Sequence, residues 1–252
     1  TYAQHLIYGG EKETALEYLL RHLEDDNVRA ADYLLVIHLE RHLGKQELMD
    51  RDLARGMELF PNNMELVSLY SFICSERGDY ERAISVLKRS LKSVKDSVKR
   101  SSILGNIGDL YHEMGKDKKC FKYYRRALAL NADNALVLNN YAYFLSLLDK
   151  DLDNALKMAM RALELKPSEA TYVDTYAWVL HRLGRNEEAK AVMRQALSLS
   201  SLQDASLLLH YGDILWSLGE KFMAETYWQK AVERGYDKEL MDAHIQFIKR
   251  DK

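Results

Sequence analysis

Eight histidines, two cysteines and many carboxylates could support metal or acid–base chemistry in this 252-residue chain, provided their spacing allows it. The histidines (His5, His22, His38, His42, His112, His181, His210 and His244) never occur with Cys or Glu at zinc-motif spacing. His38 and His42 share a helix face, but no nearby third ligand completes a metal set. A Ser/His/Asp triad can be drawn from any chain this rich in serine, and no nucleophile-elbow motif supports one. Nor is there a glycine-rich phosphate loop of the Walker or dinucleotide type. The expectation is no catalytic residue, no metal and no cofactor in this segment. A catalytic domain elsewhere in a longer protein stays compatible with that. Cys74 and Cys120 read as small buried apolar residues and cannot build a disulfide framework.

The elements that carry these residues are set by a period. Gly10, Gly44, Gly78, Gly115, Gly184 and Gly219 recur at intervals of about 34 residues, with a double interval before Gly184. Five residues after each comes Ala15, Met49, Ala83, Cys120, Ala189 or Ala224. Seven further on lies Gly56, Ala127, Ala196 or Ala231, with His22 and Ser90 in the other two copies. In units 101–134 and 205–238 the apolar residues fall three and four apart within each half, which is helical spacing. The glycine between the halves ends the first helix with a positive φ. Small residues at Gly108, Ala142, Ala177 and Gly212 let the paired helices approach closely, while Tyr111, Tyr124 and Trp228 fill the space between pairs.

These residues resemble the tetratricopeptide repeat over essentially the whole chain. The predicted fold is all-α: a right-handed solenoid of about thirteen to fifteen helices in antiparallel pairs. The copies align as a partial unit at 1–29, then units 30–63, 64–97, 101–134, 135–169, 170–203 and 205–238. A capping helix and tail at 239–252 follow, with one apolar stripe and polar residues elsewhere. Unit 135–169 has Lys150 where the turn glycine belongs and one inserted residue, and residues 98–100 are extra. The segments Leu138-Asn139-Asn140-Tyr141-Ala142-Tyr143 and Tyr172 to Leu180 are similar to repeat arrays of bacterial envelope lipoproteins, some of which are adaptors.

The resemblance implies that the first helices line a concave channel, through the second, fifth, ninth, twelfth and thirteenth positions of each repeat. Carried onto this sequence, the candidate partner-binding residues are His38, Arg41, Phe72, Asp109, His112 and Asn139. Tyr143, Asp174, Trp178, His181, Asp213 and Trp216 complete them. Rigid rings beside amides and carboxylates suit an extended peptide, whose backbone the polar groups can bond. Trp178 and Tyr143 share the ninth position, so their removal should abolish capture while leaving the melting temperature nearly unchanged. The fifth and ninth positions lack the Lys and Asn with which chaperone adaptors of the family clamp a terminal carboxylate.

Net charge is −2, but residues 88–126 carry 12 Lys/Arg against 4 Asp/Glu, a local +8 between flanks of −7 and −3. These charges fall mostly on second helices, the convex side of such an array. No aromatic interleaving or nucleic-acid module accompanies them, so they read as a solvated face and nucleic-acid binding is not expected. No run of apolar residues is long enough to span a membrane. The chain opens Thr1-Tyr2 without a leader, which reads as part of a longer protein. A lipid-anchored envelope location is slightly favoured over cytoplasm. Three classes follow: a scaffold or adaptor holding a protein segment in the groove, a structural or assembly subunit of a larger complex, or the regulatory arm of an enzyme. The oligomeric state stays open.

Overall fold

The computed structural model describes residues 2–25, 27–200 and 204–250. Parts of the expected repeat ends and tail (Thr1, 201–203 and 251–252) lie outside the described residues. The chain divides into two compact units, Thr1–Cys120 and Phe121–Lys252. The first holds α1 (Tyr2–Tyr8), α2 (Lys12–His22), α3 (Ala30–His42), α4 (Gln46–Leu59), α5 (Met64–Glu76), α6 (Tyr80–Ser90) and α7 (Ser97–Glu113). The unit boundary falls inside α8 (Asp117–Leu130). The second holds α9 (Ala135–Leu147), α10 (Leu152–Leu165), α11 (Ala170–Arg182), α12 (Asn186–Leu199), α13 (Ala205–Ser217), α14 (Lys221–Glu233) and α15 (Lys238–Arg250). Among the described residues there is no strand, and the expected all-α class holds.

Consecutive helices pair. In the first unit α1 packs on α2, α3 on α4 and α5 on α6; in the second, α9 packs on α10, α11 on α12 and α13 on α14. Every pair but α9–α10 is broken by a glycine with positive φ, as at Gly78 (φ 73) and Gly219 (φ 82), which an L side chain adopts only with strain. Helix starts carry their own signals. Asn63, Asp79, Asp96 and Asn134 each accept a hydrogen bond from the backbone N–H three residues on, satisfying a donor that the first turn leaves unpaired.

One expectation is corrected in detail. The turn residue of the fourth full repeat is Asp149 (φ 50), not Lys150, and Asp151 (φ 46) is the second left-handed residue there. Asp149 donates its N–H to Ser146 O and Lys150 donates to Leu145 O, matching Gly115 to His112 O and Lys116 to Tyr111 O. The inserted residue therefore lies after the turn. The extra residues 98–100 lie in the first turns of the 17-residue α7, with the Arg100 guanidinium bonded to the carbonyls of Leu91 and Val94.

In the second unit the core is a continuous cluster built from α11 to α15, with Trp228, Ala177, Ala189, Met193, Leu208 and Ala231 fully enclosed. Gly212 shows why the small positions are small. A Cβ there would collide with the Trp228 indole and lie 3.2 Å from Ala224 O. α15 covers part of this core through Met241, Ile245 and Ile248. Its outer side is less polar than a cap needs, since Leu240 and Phe247 are 62% and 66% exposed.

Gly212→Ala should therefore destabilise the second unit by about 1–3 kcal/mol, because either the indole or the α13–α14 spacing must give way. Urea unfolding followed by tryptophan fluorescence checks it. Parent-like stability would show that Trp228 relaxes at no cost.

Candidate functional site

The twelve candidate residues fall into three environments. His38, Arg41 and Phe72 are exposed; Asp109, His112, Tyr143 and His181 are half-buried; Asn139, Asp174, Trp178, Asp213 and Trp216 are buried. Burial sorts those that a ligand can meet from those already engaged inside the fold.

In the first unit α3 and α5 bring three groups together. The Arg41 guanidinium lies 5.0 Å from the Phe72 ring centroid and donates to both carboxylate oxygens of Glu76, at 2.8 and 2.9 Å. Phe72 remains 50% exposed beneath it. The ion pair fixes the guanidinium over the ring, so the patch is preorganised and needs little ordering on binding. His42 meets Lys12 at 2.6 Å, while His38 stands exposed one turn earlier on the same helix. On α7, His112 lies 3.3 Å from Asp117.

In the second unit the rings turn inward and stack. The Trp178 indole lies 4.2 Å from the His210 ring at 24° and 5.0 Å from His181, and the Tyr143 ring lies 6.0 Å from His210. His210 Nδ1 is held by both oxygens of Asp174, at 2.9 and 3.0 Å, and the pair is enclosed. Burial works to lower the His210 pKa, but the charge and hydrogen bond of Asp174, with Asp213 and Asp204 behind them, outweigh it and hold the imidazole above its ordinary value. Burial pushes the Tyr143 phenol up to about 12, helped by Asp174 and Tyr236. Burial also lowers His181, against the opposing bond to Asn186.

Asp213 is committed as well. It accepts from the Trp228 indole N–H at 2.9 Å and meets His244 Nε2 of α15 at 2.8 Å, so it fastens the terminal helix. Trp216 packs on Trp228 with ring centroids 5.5 Å apart, beneath the ammonium groups of Lys221 and Lys249. Asn139 donates its amide to Asn140. The expectation that Trp178 can be removed without thermal cost is therefore corrected, because its ring is only 7% exposed and is stacked on His210.

Sequence reasoning missed His210 and His244, the two partners of the buried aspartates. The signal was faint: His210 lies 36 residues after Asp174, close to one repeat, and only the stacking of α11 on α13 joins them.

One tetratricopeptide repeat family model matches residues 2–151, and a second matches residues 172–201. The chain belongs to the tetratricopeptide repeat family. It is 22% identical over 139 residues to the TPR repeat-containing protein PA4667 of Pseudomonas aeruginosa, a match covering 55% of this chain and 23% of that protein. The chain thus spans less than a quarter of that relative's length over the match.

Among solved structures, a tetratricopeptide repeat protein from Parabacteroides merdae aligns with a TM-score of 0.71 at 17% identity, covering 98% of this chain and 96% of that one. The Cut9–Hcn1 complex of the APC/C gives 0.73 at 17% identity, over 98% of this chain and 48% of that chain. YrrB, described as a TPR protein with an unusual peptide-binding site, gives 0.53 at 16% identity over 77% and 97%. At these identities the likeness is one of fold. The tetratricopeptide fold is, in general terms, that of protein–protein interaction scaffolds. No helix among the described residues is long and apolar enough to cross a membrane, and no group of three or more His, Cys, Asp and Glu among them could hold a metal ion.

Two outcomes follow from the second unit. Trp178→Ala should cost about 3–5 kcal/mol and lower the thermal midpoint, as truncation of a packed ring does; an unchanged midpoint would return the ring to the surface. His210 has a raised folded pKa, so its stabilising contribution is fully present below about 6.5, its ordinary value, and is lost as pH rises through the higher folded value. An imidazole ring-carbon NMR titration should place His210 above 6.5, and Asp174→Asn should bring it down.

Proposed function

We propose that the chain is an adaptor that holds an extended protein segment along the faces of its first helices, with the exposed Arg41–Phe72–Glu76 patch as its anchor in the first unit. One observation carries this reading: a half-exposed ring lies under a guanidinium that a second residue already holds in place. Aromatic rings and arginines concentrate the energy of protein interfaces, and a preordered pair loses less freedom on binding. His38 extends the patch along α3, and Asp109 and His112 continue the series on α7. In the second unit, Tyr143 and His181 supply the half-buried contacts, while Asn139, Asp174, Trp178, Asp213 and Trp216 hold that face in shape. Support from outside the chain is limited to kind: YrrB, of similar fold, is a tetratricopeptide protein with a peptide-binding site.

A second reading is supported by a separate feature. Leu240 and Phe247, a heptad apart on α15, leave an apolar strip at the end of the second unit. Such a strip suits end-on docking in a larger assembly, the structural-subunit class. The short span matched in PA4667 leaves room for the third class, an arm of a larger enzyme. For location, we favour a bacterial envelope protein anchored by a lipid upstream. The resemblance of 138–143 and 172–180 to envelope arrays supports this, and a lipid-modified cysteine in the full-length protein is the observation that tests it.

Phe72→Ala is the direct test of the groove. Because the ring is half-exposed, the thermal midpoint should stay close to the parent, while quantitative capture of partner proteins from cell extract falls at least tenfold, a loss of about 1.4 kcal/mol or more. Full capture by a stable variant would move the binding surface to the convex side or to α15.

A further inference from the structure

The first unit contains a buried acidic contact that the groove does not use. Glu40 on α3 is fully enclosed, and neither of its carboxylate oxygens meets a donor from the protein. Its neighbour Asp52 on α4 is 3% exposed and accepts two hydrogen bonds from Arg51, at 2.9 and 3.0 Å. Arg51 is the residue that neutralises Asp52, and no cation among the described residues forms an ion pair with Glu40. An ionised carboxylate left unpaired inside a protein costs several kcal/mol, whereas a neutral carboxyl group can donate to the carboxylate beside it.

We propose that Glu40 retains its proton at neutral pH, donates it in a hydrogen bond to Asp52, and so forms a pH-sensitive latch between α3 and α4. The groups around it are consistent with one shared proton. From α4, Asp52 and Arg51 act on Glu40, and from the turn before α4, Lys45 does. The two cationic groups draw the Glu40 proton off, but more weakly than burial and Asp52 retain it. Other titratable groups of the packed elements have partners of their own. On α2, His22 meets Asp25 at 2.6 Å and Asp32 at 3.8 Å. On α5, Tyr70 and Cys74 interact with each other and with Arg82, and Glu76 pairs with Arg41. Burial first, then the charge and hydrogen bond of Asp52, push the Glu40 carboxyl from its ordinary 4.5 to about 8.

The sign of the effect follows. The folded state binds the Glu40 proton more tightly than the unfolded chain, so this contribution to stability is fully present below about 4.5. It is lost progressively as pH rises to about 8, above which the proton has gone to water and two carboxylates face each other. The latch matters for the rest of the unit because α3 also carries His38 and Arg41. Loosening α3 from α4 at alkaline pH shifts the helix that holds the Arg41–Phe72 patch.

The test compares Glu40→Gln with the parent chain. The glutamine keeps the shape and can donate to Asp52, but it has no proton to lose. Urea unfolding between pH 5 and 8 should show the parent's unfolding equilibrium rising relative to the variant's by up to about tenfold per pH unit, the slope for one proton. His210 contributes equally to both chains and cancels in the comparison. Identical pH slopes would overturn the latch. Should Glu40→Gln fold poorly, a 13C carboxyl NMR titration of glutamate-labelled parent decides: a Glu40 resonance titrating near pH 8 supports the proposal, and one titrating near 4.5 overturns it.

Discussion

The structure depends on how closely paired helices can approach. Where Gly212 faces the Trp228 indole there is no room for a Cβ, and where Gly56 faces Tyr33 a Cβ would sit 3.2 Å from the ring. A large ring on one helix therefore requires an almost bare backbone on its partner. Repeats in an array bury apolar surface only against their neighbours, so this fit must be renewed at every pair. Ala177, Ala189, Ala196, Ala224 and Ala231 are all fully enclosed, in keeping with that rule.

Close approach has a polar consequence. Rings that seal the space between helices also seal off the polar atoms beside them, and most of those atoms then find a partner inside. Trp228, driven onto Gly212, delivers its indole N–H to Asp213, and Asp213 in turn receives His244 from α15. Trp178 and Tyr143 pack on His210, which comes from the next first helix to bond the buried Asp174. Residues that a family pattern assigns to a groove have thus become the means by which one repeat is registered on the next. A buried, paired carboxylate contributes orientation more surely than stability, because desolvation offsets much of its attraction.

The fold was legible in the sequence because its strongest constraints act on single residues. A left-handed turn favours glycine, and the recurrence of Gly10, Gly44, Gly78, Gly115, Gly184 and Gly219 exposed the period directly. Where the turn residue is Asp149, which also tolerates that conformation, alignment slipped by one to Lys150. The candidate surface was less legible. On a first helix the channel-lining and neighbour-packing positions lie one step apart, so Trp178 and Phe72 look alike in sequence although one is enclosed and the other half-exposed. What separates them is the residue across the interface: His210 stacks on the enclosed Trp178, whereas the guanidinium of Arg41 lies over the half-exposed Phe72.

The same reasoning applies to the basic stretch at 88–126. Lys88 donates to the Tyr111 hydroxyl at 3.2 Å, and the Lys119 ammonium lies 5.3 Å from the same ring. In the second unit Arg125 donates to Tyr141 and Arg194 to Tyr211, each at 3.2 Å. For Lys88, Arg125 and Arg194 the pattern is a cation on one repeat's second helix reaching a tyrosine on the next repeat's first helix, whereas Lys119 reaches the tyrosine of its own repeat. It occurs inside the basic stretch and outside it, at Arg194, where the local charge is unremarkable. A cation over a ring or on a hydroxyl in solvent contributes little individually, but it directs a long side chain along the seam between repeats. Part of the excess charge is therefore accounted for by registration of neighbouring repeats, without invoking an anionic partner.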